Sequence, residues 1–294
     1  MKKTKVYINI PAQAIAGGVE SLFQLADAIN NNGGESIVLW DIPYADPIPA
    51  KYKHYNIQHS TEVEDTPDNW VIYPEVWTEK LGTYSNMKKG IWWLSVDNNH
   101  GKFQDFSNSS ITHFYQSFYA LNFLQKNGVE KYLPLFDYIH AKYTDSTYDI
   151  TQKRNIVCFN PVKGIETTNQ IKSLNPDIQF VPITNMSEYQ IIELLKSSKV
   201  YIDFGNHPGR DRIPREAAIL GNCVITNLKG SAGFYNDITI NKEYKITNIE
   251  EIGNIIRNCF NNYESVINEH SLYMSLIKNQ KEQLHNLTKQ YFIK

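Results

Sequence analysis

An excess of charge of one sign is missing from this 294-residue chain: 29 basic residues stand against 31 acidic ones, for a formal net charge of −2. Duplex nucleic acid is held by clustered Lys and Arg, so this balance excludes a nucleic-acid-gripping protein. No apolar run approaches 18 residues, and no membrane span is expected. The basic start Met1-Lys2-Lys3-Thr4-Lys5 resembles the opening of a signal peptide. The adjoining run, Val6 to Pro11, is too short for a signal peptide's apolar region and reads as a strand, so the expected location is cytoplasmic. Cysteine is scarce: Cys158, Cys223 and Cys259 are far apart, odd in number and set in apolar runs. They fit reduced core residues, neither a disulfide framework nor a metal site. With 41% hydrophobic and 13% aromatic residues the chain can bury a sizeable core, which excludes wholesale disorder and coiled coil.

Strand and helix signals alternate. Val6–Ile10 is a short β-branched run. Beyond Gly17-Gly18, the apolar residues Val19, Leu22, Leu25, Ala26 and Ile29 fall on one helical face. Gly33-Gly34 ends that helix before a second strand at Ser36–Trp40. Further strands are expected at 70–73, 90–94 and 111–114, then a helix at 119–127. The stretch 134–153 lacks periodicity and reads as a linker. A second series comes after it: strands at 155–159, 178–182, 199–204 and 223–226, with helices at 167–174, 188–197 and 214–220 and more from 249 onward. The expected architecture is α/β, with two Rossmann-like domains facing a central cleft, 1–145 and 146–294. Open α/β sheets bind ligands outside the carboxyl ends of their strands.

The motifs sit at such ends. Gly17-Gly18-Val19-Glu20 joins the first strand to the first helix, either as an ordinary tight turn or as a place where backbone N–H groups meet a phosphate or sugar oxygen. It is neither a Gly-x-Gly-x-x-Gly loop nor a phosphate-binding loop ending in Gly-Lys-Ser/Thr. The densest stretch, Tyr201 to Glu216, carries Asp203, His207, Gly209, Arg210, Asp211, Arg212, Arg215 and Glu216 between a strand end and a helix. Its arginines and helix N-terminus suit a pyrophosphate, or else its charges simply pair with one another. Asn160-Pro161-Val162-Lys163-Gly164 ends another strand, with Lys163 placed to reach the same phosphates or to be a plain turn lysine. Glu75 and Asp97-Asn98-Asn99-His100 end strands in the first half, as acid/base or hydroxyl-binding groups or as turn and cap residues. Trp92-Trp93 reads as core, and His54, His59, His113 and His140 as surface or packing residues. There is no Asp-x-Asp and no Gly-x-Ser-x-Gly elbow.

Together these stretches resemble GT-B-type glycosyltransferases, the large retaining group that uses nucleotide sugars without a metal. Gly17-Gly18-Val19-Glu20, with Leu25-Ala26 and Gly33-Gly34, resembles that group's first loop, first helix and following turn. Glu216-Ala217-Ala218-Ile219-Leu220-Gly221-Asn222-Cys223-Val224-Ile225 is similar to its Glu-Ala-Met-Ala-x-Gly-x-Pro-Val-Ile signature. Asn160-Pro161-x-Lys163-Gly164 resembles its phosphate-contacting Lys-Gly, and Gln116-Ser117-x-Tyr119-Ala120 its last N-domain helix.

The resemblance implies that Glu216 bonds the ribose of the donor nucleotide, that Lys163 holds its diphosphate and that Gly17 and Gly18 lie beside the transferred sugar. The group's further Glu, eight positions before the first, is here Pro208, so the sugar-facing role passes to His207, Asp203 or Asp211. Asn160, Gly209, Arg210 and Arg212 complete the expected donor site, and Asp97 and Glu75 the expected catalytic set with His207 and Asp203. The expectation is a metal-independent, cofactor-free transferase for bacterial surface polysaccharide synthesis. It moves a sugar from a nucleotide-sugar donor, UDP- or GDP-linked, to a glycan or lipid-linked acceptor, the latter allowing peripheral association with the inner face of the membrane. A nucleotide-sugar epimerase and a non-catalytic nucleotide-sugar-binding partner of another transferase stand as alternatives.

Overall fold

The computed structural model describes residues 3–40 and 46–293, so Met1 and Lys2 of the basic start lie outside the described residues. The chain forms two compact units. One holds the described residues up to Tyr138 together with Pro208–Arg210 and the stretch from Gln280; the other holds Ile139–His207 and Asp211–Asn279.

The first unit is built on a parallel sheet of β1 (Lys5–Ile10), β2 (Glu35–Trp40), β3 (Gln58–His59), β4 (Trp70–Pro74), β5 (Lys88–Trp93), β6 (Ile111–Tyr115) and β7 (Tyr132–Pro134). The strand order is β3-β2-β1-β4-β5-β6-β7, all pairs parallel. A parallel sheet is covered on both faces, and the side-chain alternation shows it. Val6, Ile8 and Ile10 join Val38 and Ile72 in one core, while Tyr7, Ile37, Leu39, Val71 and Ile91 line the other. Helix α1 (Gly17–Asn31) crosses from β1 to β2, and α2 (Phe118–Lys126) comes after β6. The Ser117 hydroxyl caps α2 by accepting the Ala120 amide at 3.0 Å. Trp92 and Trp93 are fully buried core residues, as expected. Their indole nitrogens donate to Leu135 O and to His113 Nδ1.

The second unit has four parallel strands, β8 (Arg154–Phe159), β9 (Gln179–Pro182), β10 (Ser198–Asp203) and β11 (Cys223–Thr226), in the order β11-β10-β8-β9. Around them lie α3 (Ala141–Thr144), α4 (Ile165–Leu174), α5 (Glu188–Ser197), α6 (Arg212–Ile219), α7 (Ile252–Asn261), α8 (Tyr263–Glu269) and α9 (Ser271–Lys278). Val200, Ile202, Val224 and Ile225 pack with Ile171, Leu195 and Ile256 into one core. The three cysteines are free and buried.

The stretch 134–153 is not a bare linker. Leu135, Tyr138, Ile139 and Tyr143 are buried in the cores, and Lys153 is buried too. The Lys153 ammonium donates to Leu195 O (2.9 Å), Ser198 O (2.9 Å) and Leu220 O (2.6 Å), tying three chain segments together. Burial pulls its pKa down to about 7, while three carbonyl acceptors use all three N–H bonds of the charged form.

The last helix, α10 (Gln280–Phe292), belongs to the first unit. Asn32 Nδ2 at the end of α1 donates to His285 O and Thr288 Oγ1, both at 2.8 Å. Phe292 meets the Trp70 and Phe114 rings at 5.6 and 5.7 Å. Chain order alone predicts that this helix packs with residues 146–294, and these contacts correct that expectation. Among the described residues, no helix is long and apolar enough to cross a membrane.

Candidate functional site

In an open parallel sheet the loops at the carboxyl ends diverge where the strand order reverses, and ligands bind there. The order β11-β10-β8-β9 places that reversal between β8 and β10. The loops leaving these two strands are the Asn160–Gly164 and Phe204–Asp211 segments singled out in the sequence.

The two loops touch through glycine. Gly164 has φ +68°, and a Cβ on it would stand 2.5 Å from the Gly205 nitrogen. A Cβ on Gly205 would stand 2.5 Å from Lys163 Cγ, so the lysine stem lies across Gly205. From there the Lys163 ammonium donates to Asn206 O at 3.0 Å and pairs with Asp211 Oδ2. Asn160 turns its loop by accepting the Val162 amide at 3.0 Å.

His207 is fully buried between two carboxylates. Its Nδ1 lies 2.6 Å from Asp211 Oδ2 and its Nε2 lies 3.6 Å from Asp203 Oδ1. Neither ring nitrogen makes a well-aligned hydrogen bond in this arrangement. Asp203 also accepts the Tyr201 hydroxyl (3.0 Å) and the Gly205 amide (3.1 Å). Burial alone would push the Asp211 carboxyl up, but His207 and the Lys163 charge together hold it below its ordinary range. The His207 carbonyl accepts the Ser231 amide at 2.8 Å, and Gly230, at φ +58°, passes so close that a Cβ would meet that oxygen.

One atom each of Asp203, His207 and Asp211 lies within 4.8 Å of the others, a spacing a metal ion can use. Asp211 already carries a cation, the Lys163 ammonium, and a second one beside it would be repelled. Asp211 leads into α6, whose first turn holds Arg212 and whose Glu216 lies 3.6 Å from Arg212 Nε. Arg215 is buried and its Nε donates to Asp211 O at 3.2 Å.

The remaining candidates fall in the first unit. There the strand order reverses between β1 and β4, whose ends lead to Gly17-Gly18 and to Glu75. Gly17 and Gly18 open α1. A Cβ on Gly18 would meet Leu94 at an ordinary 3.6 Å, so packing does not demand glycine there. Glu75 is buried, and its carboxylate accepts the Leu94 (2.9 Å) and Ser95 (3.1 Å) amides. Burial outweighs these donors and raises its pKa to about 7. Asn99 secures the same turn by donating to Glu75 O at 2.7 Å. Asp97 accepts the Tyr119 hydroxyl at 2.8 Å.

Within this unit Gly209 has a packing reason: a Cβ would fall 1.8 Å from Leu94 O. The Arg210 amide donates to Gln116 Oε1 at 3.3 Å, and its guanidinium lies 5.3 Å from the Phe136 ring. The structure thus gathers Asn160, Lys163, Asp203, His207, Arg212 and Glu216 about one switch point. It places Gly17, Gly18, Glu75, Asp97, Gly209 and Arg210 in the other unit. Sequence reasoning counts Arg215 only among the arginines of the dense stretch, gives Asn206 and Leu94 no role, and names Asp211 as one substitute for the missing Glu. The four-residue spacing Asp203-His207-Asp211 was the available signal.

No family model matches the chain, and no curated protein matches it. Solved structures do. HepE from Anabaena, in complex with UDP and glucose, is 10% identical with a TM-score of 0.69, over 98% of each chain. The sucrose-phosphate synthase of Thermosynechococcus elongatus is 12% identical with a TM-score of 0.66, over 99% of each chain. The T4 phage glucosyltransferase BGT with UDP-glucose is 10% identical with a TM-score of 0.58, over 98% of this chain and 99% of that one. The class these likenesses define is one of fold: two parallel-sheet α/β units of GT-B type.

Proposed function

We propose that this chain is a glycosyltransferase that takes a nucleotide-sugar donor in its second unit. The observation that carries the proposal is the convergence of Lys163, Arg212, Glu216 and the start of α6 at the β8/β10 switch point. Glycosyl transfer leaves a nucleoside diphosphate on which negative charge develops. Preorganised cations and backbone N–H groups answer that charge. Lys163 and Arg212 supply the cations, the first turn of α6 supplies amides, and Glu216 is the acceptor for ribose hydroxyls. These fixed charges take the part that a divalent ion plays elsewhere. The fold shared with HepE and BGT, whose structures hold UDP or UDP-glucose, supports a UDP-linked donor.

The first unit's switch point, with Gly17-Gly18 and Glu75, is assigned to the acceptor, a glycan or a lipid-linked sugar of surface polysaccharide synthesis. Glu75, buried and bound to two amides, holds the Leu94–Ser95 turn in this scheme.

The test is product analysis after incubation with UDP-glucose, UDP-N-acetylglucosamine and GDP-mannose. Slow release of free sugar and nucleoside diphosphate, lost in Lys163→Ala, is the expected result. An epimerised nucleotide sugar, or no turnover of any donor, would overturn the transferase reading.

A further inference from the structure

We propose that His207 takes up a proton when the donor diphosphate binds, so that donor affinity is coupled to pH through this positioning residue. The inference rests on the proposed donor site in the second unit.

The ring has a carboxylate on each side: Asp211 Oδ2 is 2.6 Å from Nδ1 and Asp203 Oδ1 is 3.6 Å from Nε2. A neutral imidazole has one N–H donor and one lone pair. Whichever nitrogen carries the proton, the other turns its lone pair toward a carboxylate, in a site where the ring is fully buried. Only the imidazolium turns an N–H toward each carboxylate and sets a positive charge between the two.

Asp203 and Asp211 are the anions beside the ring, and Tyr201 and the Gly205 amide donate to Asp203. Lys163 is the cation on Asp211. From α6 come Arg212 with Glu216, and Arg215, whose Nε is on the Asp211 carbonyl. The loop after β11 brings Lys229 near the Gly230–Ser231 turn that holds the His207 carbonyl, its amide donating to Asn227.

Lys163 and His207 share a single oxygen, Asp211 Oδ2. A diphosphate arriving at the switch point draws the lysine ammonium toward itself. Asp211 then has His207 as its remaining close cation, and the added negative charge favours the protonated ring further. No bond is made or broken beyond one N–H, with the proton coming from solvent. Linkage requires the reverse as well: raising pH removes that proton and weakens donor binding, by at most about tenfold per pH unit.

The experiment is calorimetric titration of the full chain with UDP-glucose, and with GDP-mannose and ADP-glucose, in buffers of different ionisation enthalpy from pH 6 to 9. These donors carry phosphodiesters that do not titrate in that range. The expected result is uptake of up to one proton per donor bound, passing through a maximum with pH. In His207→Gln the uptake disappears, and in Asp211→Asn it falls toward zero. Binding with no proton uptake at any pH, or with the same uptake in His207→Gln, overturns the inference and leaves the donor site standing. Zn²⁺ binding abolished by His207→Gln also overturns it, since the cluster would then be a metal site. Binding of none of the three donors overturns the donor-site reading and the inference with it. Where His207→Gln fails to fold, the wild-type proton count and the pH dependence of Kd decide.

Discussion

Gly205 carries the stem of Lys163: a Cβ at this position would stand 2.5 Å from Lys163 Cγ and 2.9 Å from its Cβ. Because the obstruction is near the root of the lysine side chain, Gly205→Ala cannot be absorbed by swinging the ammonium alone. We expect it to weaken donor binding by roughly tenfold, about 1.4 kcal/mol, measured by titration with UDP-glucose. Unchanged affinity would mean that Lys163 does not touch the donor.

Gly209 is held differently. Its neighbour is the Leu94 carbonyl oxygen, 1.8 Å from a built Cβ, and backbone cannot step aside as a side chain can. Gly209→Ala is expected to destabilise the protein by about 1–3 kcal/mol, read as a fall of several degrees in thermal midpoint. A variant as stable as the wild type would show that the Pro208–Arg210 segment is free to shift.

Glu75 sets a pH dependence. Burial raises its pKa from 4.5 to about 7 against the pull of two backbone amides. Between these values the folded form binds the proton that the unfolded form has lost, so stability falls as pH rises through this window. The expected loss, on the order of 3 kcal/mol between pH 4.5 and 7, should be absent in Glu75→Gln. Parallel stability–pH curves for the two proteins would refute the assignment.

Lys153→Met should be the costliest of these changes to stability. It removes the buried donor of Leu195 O and of Leu220 O, and one of two from Ser198 O, which keeps Asn222 Nδ2 at 2.7 Å. Each lost partner costs about 1–3 kcal/mol, so chemical denaturation should show a drop of several kcal/mol in the second unit. A loss below about 1 kcal/mol would indicate that water replaces the ammonium.

The sheets were legible because parallel strands are apolar on both faces: Val6–Ile10 and Cys223–Thr226 announce themselves in any reading. Helix α10 was legible as a helix but not in its placement. An apolar stripe containing Leu284 and Phe292 says that something covers it, and chain order pointed to the wrong unit. The edge strands β3 and β7, at two and three residues, are too short to show a period. Lys153 was invisible because a lysine's default is solvent, and only its three carbonyls reveal why it is buried. At the candidate site, Lys163 was singled out by its place at a strand end, and Glu216 by the resemblance of 216–225 to the transferase signature. The bridge at His207 was not, because Asp203, His207 and Asp211 are four residues apart across a loop, and their meeting depends on how that loop closes.

The central claim is that a nucleoside diphosphate sits at the β8/β10 switch point. Hydrogen–deuterium exchange with and without saturating UDP tests it most directly. Amides in 160–166 and 203–213 are expected to slow on binding, the change falling away in Lys163→Ala. Protection confined to other segments while UDP is bound would contradict it.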